Sequence, residues 1–246
     1  MNEIIYGIHT INALLNRSPK RIKEFYYLKE RNDCKIISMI QKIKKLYIPI
    51  IAVNRQWMDK QTKKAAHQGC IAKILPNKFY KENELINFLK HKQELFLLAL
   101  DCITDPHNLG ACLRSAEAAG IDAVIIPKNK SAQLNAIAKK VACGAAEYIP
   151  IFHVTNLVRT LCFLKDNNIR ILGTTSEITN NTLYQSNLTG SITIIVGEEN
   201  KGIRRLTRVH CNELINIPMI GSINSLNVSV ATGVCLFEAL RQRLYN

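Results

Sequence analysis

The sequence predicts an α/β protein with a small N-terminal α/β unit followed by a larger unit built on a parallel sheet. From residue 95 onward, strand-length apolar runs alternate with amphipathic helical segments, a pattern typical of a parallel sheet covered by helices on both faces. The first 75 residues carry shorter strand and helix patterns of their own. The 246 residues, of which 47% are apolar and 21% charged, suffice for one large or two modest domains.

The N-terminal unit, residues 1–75, has the length of a small domain. Residues 4–15 predict a strand or turn that leads into a helix. Apolar periodicity then predicts strands at 25–28, 47–53 and 70–75 and helices at 36–46 and 55–62. Residues 76–93 are rich in charge and predict a linker that contains a short helix.

The larger unit, residues 94–246, supplies the predicted parallel sheet. Its predicted strands are 95–100, 123–126, 170–174, 192–196 and 214–217, and its predicted helices are 109–119, 131–143, 155–166, 203–209 and 227–244. Ligands of such sheets bind beyond the carboxyl ends of the strands. The segments 101–110, 174–180, 197–202 and 218–227 are therefore the candidate binding loops.

The net charge of +14 is concentrated at the N-terminus. Residues 1–90 contain 18 Lys and Arg against 7 Asp and Glu, whereas the rest of the chain contains 15 against 12. This asymmetry favours a polyanionic partner such as RNA. The alternative is drift toward Lys codons in a genome biased to A and T.

The cysteines and the N-terminus indicate a cytoplasmic protein. Eight Cys are scattered without any CxxC pair, which predicts reduced core residues and neither a disulfide framework nor a metal site. The N-terminal segment lacks the pattern of a secretory signal, and no uncharged apolar run is long enough to span a membrane.

Two of the candidate loops contain residue types that suit a polar site. In DCITDPHNLGACLRSAEAAG, Asn108 stands where a helix cap is expected, and Arg114 lies off the apolar face, within reach of Glu117. In VGEENKGIRR, Gly197 permits close approach of the backbone, and Glu198 is expected to be partly buried beside it. The spacing excludes a dinucleotide-binding or P-loop glycine motif, and no nucleophile elbow is present.

The segment IPMIGSINSLNVSVATGV carries Ser225, Asn227 and Ser229 in alternation with apolar residues. A half-buried strand would explain the alternation. Helical spacing of apolar residues from Val230 onward instead indicates that a helix starts here, where a polar residue can cap it. Because one residue is enough for a cap, three polar residues also suggest the lining of a site.

Together, DPHNLGACLRSAEAAG, IVGEENKGIRRLT and IPMIGSINSLNVSVATGVCLFEALRQR resemble the three motifs of the SpoU (TrmH) family of RNA 2′-O-ribose methyltransferases. The N-terminal IYGIHTINALL and the closing LFEALRQR are similar to those of its 23S ribosomal RNA guanosine-2′-O-methyltransferases. The resemblance covers nearly the whole chain. It implies a SPOUT α/β-knot methyltransferase domain with a C-terminal trefoil knot at 94–246, an L30e-like RNA-binding domain at 1–75, and a homodimer whose subunits share each active site.

The resemblance also implies residue roles and S-adenosylmethionine as methyl donor, without a metal. Cofactor-binding roles fall on Gly197, Ile217 and Leu226 through their backbones and on Thr174 through its loop. The catalytic roles fall on Asn108 and Arg114, placed near the target ribose from the other subunit, and on Glu198, Ser225 and Asn227. Since a guanidinium group stays protonated in proteins, we expect Arg114 to act on phosphate electrostatically and not as a base.

This sequence departs from the pattern of the family's 23S rRNA enzymes at Glu199-Asn200, where they have a small residue and Gly, and at Asn212, where Asp is common. Three alternatives stay open. The chain could methylate tRNA, although typical tRNA enzymes resemble it less at the N-terminus. It could be a non-catalytic RNA-binding protein of ribosome assembly. The strand–helix pattern alone would also fit a nicotinamide- or ATP-binding enzyme, which the glycine spacing disfavours.

Overall fold

The computed structural model describes residues 3–31, 33–76, 80–90, 92–177, 181–198 and 201–245. In chain order the elements are β1 (Glu3–Tyr6), α1 (Ile8–Arg17), β2 (Ile22–Leu28), α2 (Cys34–Lys44), β3 (Ile50–Val53), α3 (Arg55–Thr62), β4 (Cys70–Ile74), β5 (Tyr80–Lys81), α4 (Glu82–Leu89), β6 (Phe96–Asp101), α5 (Pro106–Ala118), β7 (Ala123–Pro127), α6 (Ala136–Val141), β8 (Ile151–Val154), α7 (Leu157–Asp166), β9 (Arg170–Thr175), β10 (Ile192–Gly197), α8 (Arg205–Val209), β11 (Glu213–Asn216) and α9 (Val228–Tyr245). Short 3-10 helices occur at Pro19–Arg21 and Ala145–Glu147.

The first compact unit comprises the described residues within 1–78 together with 134–148. Its sheet has the order β1-β4-β2-β3, in which β2 and β3 are parallel and the other pairs antiparallel. Apolar side chains of α1, α2 and the sheet, among them Ile11, Phe25 and Met39, form its main core. The amphipathic spacing in α1 and α2 thus buries one helix face against the sheet.

The second unit comprises the described residues within 79–133 and 149–246. Its sheet has the order β11-β9-β10-β6-β7-β8-β5, and all of the pairs are parallel, as the strand–helix alternation predicted. Every residue of β6 and β10 is buried, which explains why both strands read as continuous apolar runs. The chain order reverses between these two neighbouring strands, so their carboxyl ends form the switch point where ligands bind.

Several predicted elements differ from those observed. The strand predicted at 47–53 begins at Ile50, because Tyr47 adopts a left-handed turn conformation with φ 56° and is exposed. The helix predicted at 131–143 is shortened to α6, which Asn135 caps, and it belongs to the first unit. Strand β8 was not predicted.

The segment 76–93, predicted as a linker with a short helix, contains β5 and α4 in its described part. Strand β5 pairs with β8, and Leu85 and Leu89 of α4 are buried in the core of the second unit. The domain boundaries and the L30e-like character of the first unit stay predictions.

The chain between β9 and β10 lies against the C-terminal segment. The backbone N–H of Leu183 donates to the carbonyl of Asn216 at the end of β11, over 2.8 Å. Further along, Gln242 of α9 donates to the carbonyl of Ser186 and accepts from the N–H of Leu188. This segment therefore runs alongside both β11 and α9, an arrangement compatible with the trefoil knot, which stays a prediction.

The cysteines are all free thiols. Four are buried and three are half-buried, but Cys34 is exposed at the start of α2, so the prediction of core positions was wrong for that residue. Across the described residues, no helix has the length and apolarity that crossing a membrane requires.

The first unit contains a buried ion pair that yields a stability prediction. The side chain of Lys139 is 2% exposed, and its Nζ lies 2.7 Å from Oε2 of Glu3. We expect Glu3→Gln to lower the free energy of unfolding by about 2 kcal/mol, because it leaves a buried ammonium group without a counter-charge. Urea denaturation would measure this. The double variant Glu3→Gln with Lys139→Met should recover part of the loss, and equal losses in both variants would contradict the explanation.

Candidate active site

A cavity of about 300 Å3 opens at the carboxyl edge of the parallel sheet. Such a volume lies at the lower end of small-molecule sites. It is lined by the ends of β9 and β10, the turn before α8 and the segment that joins β11 to α9. The predicted site residues in its wall are Thr174, Gly197, Glu198, Ile217, Ser225 and Leu226. The four residues predicted to bind a cofactor are thus brought together at one cavity.

Gly197 ends β10 in the tightest part of the cavity wall. A Cβ atom at this position would lie 2.2 Å from the backbone C and O atoms of Gly202 and 2.3 Å from the N of Ile203. The Gly202 N–H donates to the Glu198 carbonyl over 2.7 Å, and Gly202 itself has a φ of 61°. Only glycine therefore permits the chain to fold back on itself here.

A buried carboxylate that was not singled out in the sequence binds Arg204, the residue that follows Ile203 of this wall. Asp101, at the end of β6, is fully buried, and its Oδ2 accepts the backbone N–H of Arg204 over 2.9 Å. Its Oδ1 accepts from Nε of the same arginine over 2.7 Å. Because Arg204 is the N-cap residue of α8, this contact sets where α8 begins. The sequence signal that could have identified Asp101 was an aspartate at the end of an otherwise apolar strand.

Asn227 occupies the entrance to α9 and has a defined amide orientation. Its Oδ1 accepts from both the backbone N–H and the hydroxyl of Ser229, over 2.9 and 2.6 Å. The amide nitrogen therefore points the other way, and it donates to Oδ1 of Asn108 over 3.1 Å. The helical alternative for this segment is confirmed, since Val228 begins α9. Ser229 orients Asn227.

Asn108 does not cap α5, contrary to the sequence prediction. The N-cap residue is Asp105, whose Oδ1 accepts the N–H of His107 over 2.9 Å, and Pro106 occupies the first turn. Proline suits that position because it lacks the N–H that a helix start leaves unpaired. Asn108 thus lies inside the helix, where its side chain is available to contact Asn227.

Arg114 is exposed one and a half turns further along α5. Although Glu117 is within reach in the sequence, Arg114 forms no ion pair with it or with any other residue of the described part of the chain. Arg114, Asn108 and Asn227 do not line the cavity itself. Asn227 nevertheless lies two residues from Ser225, so the Asn108–Asn227 contact borders it.

The cavity wall carries two acid–base pairs. Glu177 accepts a hydrogen bond from Arg208 over 2.6 Å, and that bond lowers the pKa of the Glu177 carboxyl group, so it is ionised at neutral pH. Glu198 and Lys201 form a looser pair at 3.9 Å. Burial raises the pKa of the nearby Cys102 thiol, which argues against a thiolate nucleophile. No cluster of His, Cys, Asp and Glu suited to a metal is found among the residues that the structure describes.

Of the two departures noted in the sequence, one can be examined. Oδ1 of Asn212 accepts the N–H of Ile171 over 2.9 Å, while its own backbone N–H donates to the Ile171 carbonyl. Only the side-chain oxygen is used, so Asn serves here as Asp would. Glu199-Asn200 lies outside the described residues.

Comparison with known proteins places this site in a family. The family model described as "SpoU rRNA Methylase family" matches residues 95–237, and the model described as "RNA 2'-O ribose methyltransferase substrate binding" matches residues 4–80. The chain is 58% identical over 243 residues to the 23S rRNA (guanosine-2'-O-)-methyltransferase RlmB of Photorhabdus laumondii, and this alignment covers 99% of both chains. It is 55% identical to the protein of that name from Escherichia coli K12, over 99% of this chain and 100% of the relative.

A solved structure shares the fold across the whole chain. The SpoU methyltransferase AviRb from Streptomyces viridochromogenes, in complex with the cofactor AdoMet, superimposes with a TM-score of 0.83. It covers 100% of this chain and 92% of its own, at 18% identity. At that identity the likeness concerns the fold alone.

The close approach at Gly197 yields a prediction. We expect Gly197→Ala to lower the free energy of unfolding by about 2–3 kcal/mol, because the added methyl group meets backbone atoms that cannot rotate away. Thermal unfolding would measure the loss. Gly221→Ala is the matched control, since a Cβ there meets nothing within 4 Å. A melting temperature unchanged in the Gly197 variant would refute the proposed constraint.

Proposed function

Because the chain belongs to the SpoU rRNA methylase family, we propose that it transfers a methyl group from S-adenosylmethionine to the ribose 2′-hydroxyl of a guanosine in 23S ribosomal RNA. The relatives that carry this activity in their names are 58% and 55% identical to the chain over nearly their whole length. A ribosomal RNA substrate also fits the cytoplasmic location, which stays a prediction.

The observation that carries the proposal is the cavity at the carboxyl edge of the parallel sheet. It gathers the four residues expected to bind the cofactor together with Glu198 and Ser225. The hydrogen-bonded pair of Asn108 and Asn227 borders it. A decayed pocket in a protein that merely binds RNA would not need to keep this set together, so the arrangement favours catalysis over the non-catalytic alternative.

The residues present fit S-adenosylmethionine. Apolar side chains of Val196, Ile217 and Leu226 line the cavity, and the absence of a side chain at Gly197 leaves backbone atoms accessible, as suits an adenosine group. The carboxylates of Glu177 and Glu198 complement the positive charges of the ligand. When bound, S-adenosylmethionine supplies an electrophilic methyl group on a sulfonium, with a neutral leaving group.

The chain itself contributes mainly the positioning of the ribose hydroxyl. The amide of Asn227 is held by Ser229 and by Asn108, so it offers fixed polar atoms beside the cavity. Fixing the nucleophile next to the methyl group removes much of the entropic cost of the reaction. No acid is required, because the leaving group departs uncharged, and the proton that the hydroxyl loses on methylation passes to solvent.

Arg114 is suited to hold the phosphate next to the target ribose. It is exposed, and among the described residues no carboxylate neutralises it, so its guanidinium can form two parallel hydrogen bonds to a phosphate group. A nearby positive charge also stabilises the negative charge that develops on the 2′-oxygen. We propose this electrostatic role, and not that of a general base, for Arg114.

We further propose a homodimer in which Arg114 acts on the partner's cavity. Val230, Phe237 and Leu244 repeat every seven residues along α9, and their exposed fractions of 51%, 48% and 63% leave an apolar stripe on its surface. Ile220 and Ile223, which are 102% and 69% exposed, extend the apolar surface onto the preceding segment. Exposed apolar side chains of this kind favour burial against a second copy.

The substrate assignment yields a prediction. With radiolabelled S-adenosylmethionine, we expect alkali-resistant label at one guanosine of unmodified 23S rRNA and none in bulk tRNA. Arg114→Ala should reduce the label at least about a hundredfold, whereas Arg114→Lys should retain more activity with an unchanged pH profile. Label in tRNA would instead identify tRNA as the substrate. A shifted pH profile in the Lys variant would support the role of Arg114 as a general base. Failure to bind the cofactor would refute the enzymatic function.

A mixing experiment tests the shared active site. Arg114→Ala and Glu198→Gln should each inactivate their own homodimers. If the two residues act in different subunits of one site, co-expressed mixed dimers contain one intact site, and about a quarter of wild-type activity should return. If both residues act within one subunit, every site in the mixture carries a lesion, and no activity should return.

A further inference from the structure

The ion pair between Glu177 and Arg208 takes no part in the transfer of the methyl group, although both residues line the cavity and Glu177 contributes to its negative charge. Glu177 follows β9, and Arg208 lies in the last turn of α8. Both guanidinium nitrogens of Arg208 donate to the carboxylate, one of them over 2.6 Å. The side chain of Arg208 is 34% exposed and that of Glu177 is 64% exposed, so the pair lies where the cavity meets solvent.

The other charged residues of the cavity are already assigned or lie too far out. Glu198 belongs to the set expected around the reacting groups, and Lys201, with 84% of its side chain exposed, extends into solvent. Among the described residues of the wall, Arg208 is therefore the cation best placed to bind a ligand anion. Glu177 adjoins it as a carboxylate able to bind a ligand cation.

We propose that Arg208 and Glu177 form the subsite for the amino-acid end of S-adenosylmethionine, in which Arg208 binds the α-carboxylate and Glu177 binds the α-ammonium group. This inference rests on the proposed function. The ligand carries one negative and two positive charges, and the sulfonium is left for the remaining carboxylate, Glu198. Each charge of the ion pair is thus opposite in sign to the group of the amino-acid zwitterion that it binds.

Physical chemistry favours this exchange of partners. A guanidinium group binds a carboxylate through two parallel hydrogen bonds, so the ligand carboxylate can replace that of Glu177 with the same geometry. The pair is partly exposed, and partly exposed ion pairs cost little to separate. The hydrogen bond from Arg208 lowers the pKa of Glu177, and the same contact raises the pKa of Arg208, so both groups carry their charge at neutral pH.

The scaffold also holds Arg208 in place. Helix α8 begins at the residue after Arg204, whose backbone N–H and guanidinium are fixed by the buried Asp101. The backbone N–H of Arg208 in turn donates to the Arg204 carbonyl over 2.9 Å. The guanidinium of Arg208 is thus connected to the switch point of the sheet through one turn of helix, as a binding group requires.

Calorimetric titration of two adenosine thioethers tests the proposal. S-Adenosylhomocysteine has the amino-acid end, and 5′-deoxy-5′-methylthioadenosine lacks it. We expect Arg208→Gln to weaken the binding of S-adenosylhomocysteine about tenfold and to leave the binding of methylthioadenosine within about twofold. Glu177→Gln should also weaken only the former. Arg205→Gln is the matched control, because Arg205 lies in the same helix and does not line the cavity.

The outcomes separate this inference from the proposed function. If wild-type protein binds both ligands and Arg208→Gln weakens both equally, Arg208 merely shapes the cavity and the subsite is refuted. If neither ligand is affected, the pair is only a surface ion pair and the subsite is again refuted, while the proposed function stands. If wild-type protein does not bind S-adenosylhomocysteine at all, the proposed function fails and the subsite with it. Thermal unfolding of each variant confirms that the fold is kept.

Discussion

The buried carboxylate of Asp101 is the contact on which the candidate site depends. It ends the central strand β6 and binds both the backbone and the side chain of Arg204. A fully buried carboxylate is costly unless its hydrogen bonds are satisfied, and here one residue supplies both donors. The start of α8, and with it the position of the adjoining cavity-wall residue Ile203, depends on this interaction.

The architecture of the second unit could be predicted because its sequence signals are local. Buried parallel strands read as apolar runs, and the rule for switch points then gave the loops that form the cavity. The six predicted residues in the cavity wall lie at the ends of β9 and β10 or follow β10 and β11, where a buried strand makes the neighbouring residues easy to place. The roles of these residues came from the family resemblance, which spacing alone could not supply.

What could not be predicted depends on contacts distant in sequence. Asn108 was expected to cap α5, but Asp105 is the cap. The partner of Asn108 is Asn227, which only the folded chain brings close to it. Asp101 was missed because its partner is 103 residues away. Strand β8 was missed because His153 interrupts its apolar run, and the contact of α6 with the first unit was missed because its partners lie near the N-terminus.

The discontinuous composition of the first unit has a consequence for how the protein is made. Residues 134–148 supply α6 and the lysine that neutralises Glu3, and they emerge from the ribosome only after β6 and β7. Domains usually fold in the order of their synthesis. Here the N-terminal unit can be completed only after part of the second sheet has been translated, and until then Glu3 lacks its partner Lys139. The folding order of this chain is therefore interleaved, and a ribosome stalled before residue 148 would hold an incomplete first unit.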